Sequence, residues 1–196
     1  MTDFILRGAF SDDCETRRAR LDLITHTLQV IDYEHHEIHS GSFFRVQHNN
    51  ASIDELIIAF KVGDQSKNPH FVFEWVSESF GSLQLLEGST WTAGTGTDRP
   101  PKNSRRDSTK ESVLQGNATG VFLDNNVVVD PTGLTGGTVI SDKRVYSDNK
   151  QGGGSGERRN EIILATNQTY ALVWTSGDGN KGIQIRCSWY EHTDKT

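Results

Sequence analysis

Between Ile183 and Tyr190 the chain alternates in strict order, with Ile183, Ile185, Cys187 and Trp189 on one side and Gln184, Arg186, Ser188 and Tyr190 on the other. A period of two marks a β-strand with one face on a core and the other in water. It excludes an amphipathic helix there, because helical apolar residues recur every three or four positions. The pattern starts at Phe43 and returns twice more. Leu56, Ile58, Phe60 and Val62 oppose Ile57, Ala59 and Lys61, and Phe71, Phe73 and Trp75 oppose Val72, Glu74 and Val76.

Shorter strands are expected at Gly81–Leu86, Gly120–Leu123, Asn126–Val129, Thr138–Ile140, Glu161–Leu164 and Tyr170–Thr175. Turn-forming clusters separate nearly all of them, among them Val62-Gly63-Asp64, Asp124-Asn125-Asn126, Pro131-Thr132-Gly133, Asn167-Gln168 and Ser176-Gly177-Asp178-Gly179. Composition agrees: 19 glycines against one methionine make turns plentiful and strong helix formers scarce. About eight to ten strands with no helix between them predict an all-β fold, an antiparallel β-sandwich of jelly-roll-like kind spanning residues 33–196.

Residues 1–32 read as an extended N-terminal arm. Arg20–Ile24 and Leu28–Asp32 flank Thr25-His26-Thr27 as a short hairpin, while a helix over Ser11–Ala19, capped by Ser11, is the competing assignment. A lone hairpin is marginal in water, so the arm is expected to rest on the body or on another subunit. Two long polar stretches, Thr92–Ser112 and Ser147–Asn160, read as loops, and loops of that length tend to be functional or flexible.

The net charge of −6 provides no global field for nucleic acid or an anionic membrane, so neither is an expected partner. Apolar runs such as Leu56–Phe60 fall far short of the ~20 residues of a membrane helix. No basic-then-apolar leader opens the chain, and synthesis in the cytoplasm is expected. Cys14 and Cys187 lack any CxxC or Cys/His spacing. They are read as free thiols, Cys187 on the apolar side of its strand; a disulfide is the alternative, with nothing in the sequence to place the two within reach.

The segment YEHHEIHSG, Tyr33–Gly41, carries the densest chemistry. Read as a strand, it puts His35, Glu37 and His39 on one face, the residue types of a facial metal site. Three such positions span roughly 13 Å of extended chain, too far to converge on one ion without a bend. Polar pairing across strands or subunits is the plainer reading, and no metal or other cofactor is expected. The letters YEH recur at Tyr190–His192, which reads as Tyr33 and Tyr190 on neighbouring edge strands with their hydroxyls in water. A GxSxG elbow, a Cys–His constellation and a phosphate loop are absent from the sequence; Gly152–Gly156 reads as a hairpin tip. The protein is therefore read as a non-enzyme. A basic knot at Arg99, Lys102, Arg105 and Arg106, with Arg17 and Arg18 in the arm, supplies candidate partner-binding residues, although solvated charge is the ordinary role of such groups. Arg144, Arg158 and Arg159 read the same way. Trp75, Trp91, Trp174 and Tyr170 are the aromatics that a glycan-binding module would use as stacking platforms, although alternation assigns most of them to the core.

HTLQVIDYEHHEIHSGSFFRV (His26–Val46) resembles the N-terminal block of small tailed-bacteriophage structural proteins. LLEGSTWTAGTGT with KNSRRDS, NEIILATNQTYALVW (Asn160–Trp174) and the closing IQIRCSWYEHTDK (Ile183–Lys195) are similar to later blocks of that group. The resemblance implies a virion component of the capsid decoration (cement) type. Such a protein binds the major capsid protein on the outside of the head as a homo-oligomer, dimer or trimer, and has no catalytic residues. A tail or head-fibre module that binds a host glycan and a metal-dependent enzyme centred on residues 35–39 are the alternatives.

Overall fold

The computed structural model describes residues 33–63, 67–115, 127–145, 152–154 and 161–192. The chain divides into two compact units, residues 1–36 and 37–196. The expected arm (residues 1–32), the expected strand Gly120–Leu123, and Arg17, Arg18, Arg158 and Arg159 lie outside the described residues.

In chain order the elements are α1 (Tyr33–Ser40), β1 (Phe43–Ile53), β2 (Glu55–Val62), β3 (Asn68–Ser77), β4 (Gly81–Glu87), β5 (Thr97–Arg99) and β6 (Lys102–Asn103). They continue with β7 (Leu114–Gln115), β8 (Val127–Val129), β9 (Thr138–Val145), β10 (Gly152–Gly154), β11 (Ile162–Ile163), β12 (Thr169–Ser176) and β13 (Lys181–His192). Two antiparallel sheets pack face to face. One runs β10-β3-β13-β1-β6 with β11 also on β3; the other runs β5-β8-β2-β12-β4-β9 with β7 also on β2.

The long strands alternate between the sheets. β1 and β3 belong to the six-stranded sheet, β2 and β4 to the seven-stranded one, and the last two strands, β12 and β13, are central in different sheets. β13 lies between β1 and β3, with Cys187 opposite both Val46 and Phe73, and β12 lies between β2 and β4, with Leu172 opposite both Ile58 and Leu85. The expected alternation is realised: Phe44, Val46, Phe71, Phe73, Ile185, Cys187 and Trp189 from one inner face meet Leu56, Ile58, Phe60, Leu83, Leu85, Leu172 and Trp174 from the other. Burial raises the Cys187 thiol pKa to about 12, so it remains protonated and serves as a small apolar group.

Where strands change sheet, the backbone needs partners that the ladders do not supply. At one end a serine cluster meets this need. Ser77 Oγ donates to the Ser79 carbonyl and accepts from Ser79 N, and Ser79 Oγ meets Ser176 Oγ at 2.9 Å. Gly177 follows, with the Phe80 ring so close that an added Cβ would lie 1.9 Å from a ring carbon. At the other end Tyr170 Oη donates to Glu87 Oε1 and accepts from Ala165 N, and its ring stacks on Phe60 inside the core, which takes Tyr170 away from a glycan-stacking role. Trp174 is likewise fully buried, and Trp75 packs against the core.

The stretch expected as one loop, Thr92–Ser112, is instead built into the body. Its first part forms a strap with residues 130–137 over the outer face of the seven-stranded sheet, through paired Thr90–Thr135 backbone bonds and Thr92 N to the Thr132 carbonyl. Thr95 Oγ1 donates to the Thr92 carbonyl and accepts from Thr132 N. Beneath the strap, Trp91 and Leu134 pack on Ile57, Ala59, Val128 and Ala171.

Leu172, fully buried at the centre of its sheet, is expected on truncation to Ala to lower the unfolding free energy by about 2–5 kcal/mol. Ile163→Ala, at a side chain 53% exposed, should change it by no more than about 0.5 kcal/mol. Urea denaturation of the two variants against the wild type measures both.

Candidate functional site

The histidine-rich segment is helical, which corrects its reading as a strand. Tyr33–Ser40 is α1, so His35 and His39, four positions apart, share one helical face while Glu37 turns away from them. His35, His36 and His39 are exposed and Glu37 is buried. Among the described residues no three His, Cys, Asp or Glu side chains gather as a metal site. The signals for a helix were the lack of alternation and Ser40-Gly41 as a stop. Gly41 takes φ +74°, with Gly41 N bonded to the Ile38 carbonyl and Ser42 N to the Glu37 carbonyl, the paired bonds of a Schellman ending.

That helix end organises the basic segment. Arg105 Nη1 donates to the His39 carbonyl at 2.7 Å, Lys110 Nζ to the Ser40 carbonyl at 2.8 Å and Asn103 Nδ2 to the Gly41 carbonyl at 2.9 Å. Three consecutive carbonyls are thus satisfied by side chains, two of them cationic, where the helix dipole favours positive charge. Arg105 also forms a two-bond fork on Asp107, which raises the guanidinium pKa and lowers that of the carboxyl. Arg105 is therefore a structural clamp. Arg106 Nη1 reaches the Asn103 carbonyl at 3.4 Å.

With the segment pinned, β6 pairs with β1, and Lys102 stands directly opposite Arg45. Both are exposed, and neither forms an ion pair among the described residues. Like charges facing each other across a ladder are destabilising. In a chain of net charge −6, this pair is a local concentration of positive charge. It belongs to the outer face of the six-stranded sheet, where β1 and β13 also present Gln47 and Arg186 in register. Arg186 reaches Glu74 at 3.3 Å. Arg45 and Arg186 were not singled out in the sequence, although their place on the wet side of alternating strands carried the signal. Arg99 lies apart, at the end of β5 in the other sheet; the pKa of His48 is lowered chiefly by burial and secondarily by the Arg99 charge. Arg144 is exposed on β9.

Tyr190 is not on an edge with a wet hydroxyl: it is buried on a central strand, stacked on His70 at 4.5 Å, with its hydroxyl on Glu161 Oε1 and His70 Nδ1. Glu161 and His70 also meet directly at 2.5 Å. Glu191 Oε1 accepts from Ser112 Oγ, Trp189 Nε1 and Val113 N, tying the chain before β7 to β13. Finally, a hollow of about 480 Å³ beside the strap is lined by Ile53, Ile57, Pro131 and Leu134, with Glu55 and Asp130 as its carboxylates. Asp130 adopts φ +51° and clamps Ile57, donating from its backbone N and accepting at Oδ1.

No family model matches the chain, and no match appears among curated proteins or solved structures. Among the described residues no helix is long and apolar enough to cross a membrane.

Burial is the main cause raising the Glu191 carboxyl pKa above its ordinary value, opposed by its three donors and by Lys67. As pH rises between the unfolded and the folded value, the unfolded chain loses this proton first, so this group's contribution to stability falls across that window and then levels off. Glu191→Gln should keep the acceptor and abolish that slope. Glu191→Ala strands buried donors and should cost about 1–3 kcal/mol throughout. Urea titrations of the three proteins from about pH 4 to pH 8 check this.

Proposed function

We propose that this jelly-roll-like sandwich is a non-enzymatic binding module that decorates a bacteriophage head, docking on the major capsid protein through the Arg45–Lys102 face. One observation carries the reading: two cations held opposite each other at the surface of an acidic protein. Their repulsion disfavours the isolated molecule and is relieved when a carboxylate-bearing surface covers them. The segment holding Lys102 is fixed by the clamps on the end of α1, so little ordering remains to be done on binding. The sequence blocks similar to phage structural proteins supply the biological setting. Arg106 and Arg99 are outlying members of the same acidic-partner reading.

The glycan-binding alternative loses Tyr170 and Trp174 to the core. Trp91 is half-buried under the strap.

The test is co-sedimentation of the purified chain with heads that lack it. Wild-type protein should bind in a salt-sensitive manner, and Arg45→Glu/Lys102→Glu should reduce bound copies at least about tenfold, since each reversal turns an attraction into a repulsion. Binding unchanged by the double reversal, or no binding by the wild type, would overturn the reading.

A further inference from the structure

We propose that β9 is a self-association edge, on which a second copy of this chain adds its own β9 antiparallel about a twofold axis. β9 ends the order of the seven-stranded sheet, and among the described residues no strand pairs with its outer side. Such an edge presents unpaired N–H and C=O groups that template another strand. Beside it, Val139 and Ile140 are 46% and 39% exposed, among the largest apolar exposures of the described residues.

The charges select the occupant and the register. Ile140 is the extra residue of a bulge between Leu85 and Leu86, which leaves Ser141–Val145 as the regular part of the strand, paired one to one with Leu85–Gly81. A twofold axis that joins two antiparallel edges runs perpendicular to the sheet, so each residue pairs with one on its own face. The register that overlaps the whole regular segment is centred on Lys143. In it, Asp142 of each copy faces Arg144 of the other, two opposite-charge pairs made by one symmetry operation. Both side chains are exposed, and both belong to the outer face, opposite Gln84 and Ser82 of β4. Centring on Asp142 instead would set the two carboxylates against each other. A strand that carries Asp and Arg two residues apart about its own midpoint is thus complementary to itself.

The same register places the two Lys143 residues opposite each other on the other face. This repulsion weakens the dimer and guards the edge against unregulated stacking. The surface differs from the Arg45–Lys102 face and does not depend on its role.

Sedimentation equilibrium of the full-length chain over a concentration series tests the proposal, with circular dichroism to confirm that each variant is folded. The wild type should show a reversible monomer–dimer equilibrium. Asp142→Arg and Arg144→Asp should each weaken it about tenfold or more, and the double swap Asp142→Arg/Arg144→Asp should restore it to within a few-fold. Lys143→Ser should tighten it. A wild type that is monomeric at every concentration, a double swap as weak as the singles, or a Lys143→Ser variant that binds no tighter would each overturn the proposal.

Discussion

The structure depends on the placement of its last two strands. β12 and β13 follow each other in the chain, yet each is a central strand of a different sheet. Both sheets therefore stay split until the C-terminal region is in place: β1 and β3 have no ladder with each other, and neither have β2 and β4. The pairings are remote, Phe44 with Trp189 and Ile58 with Leu172, so most of the loop-closure entropy is spent before the core is rewarded. Slow folding is expected of such a topology. The polar fastenings at the two ends, the serine cluster beside Gly177 and the Glu191 acceptor, sit where these strands enter and leave the sandwich.

The two outer faces solve the problem of exposure differently. On the six-stranded sheet the outward positions include Arg45, Gln47, Gln184, Arg186 and Glu74, which water covers readily, with Val72 and Val76 on β3 as apolar members. On the seven-stranded sheet the outward positions of β2, β8 and β12 are Ile57, Ala59, Val128, Ala171 and Val173, and the strap with Trp91 covers them as a partial third layer. That difference explains why β2 reads as a nearly continuous apolar run, Leu56–Phe60, where a strand wet on one side would alternate.

The long strands were legible because burial on one face writes a period of two directly into the chain; Ile183–Tyr190 and Phe71–Val76 lie in the elements that their alternation predicts. The strap was not legible, since the partners of Thr90 and Thr92 lie some forty residues away and no local pattern records them. The helix α1 was hidden by its brevity, about two turns, with an end held by Asn103, Arg105 and Lys110 from a segment that reads as solvated charge. Tyr190 had the wet-side parity of its strand and is nevertheless buried on His70, because alternation reports which face a side chain takes and not what covers that face. Position along the chain groups Lys102 with Arg105 and Arg106, but it does not show that Arg45, 57 residues away in sequence, is its cross-strand neighbour.

A basic spot of this kind cannot bind tightly by itself. Exposed ion pairs each contribute about 0–1 kcal/mol and are screened by salt, so two or three of them give a weak, reversible contact. What the sandwich adds is rigidity: Lys102 sits on a strand clamped at Asn103, Arg105 and Lys110, and Arg45 on the long β1, so neither carrier has to be ordered when a partner arrives. A weak but preorganised contact becomes effective when many copies are presented in a fixed array, because each further contact is then made at high local concentration. Under the proposed reading, that is how a surface of this character would hold a repetitive partner such as a shell lattice.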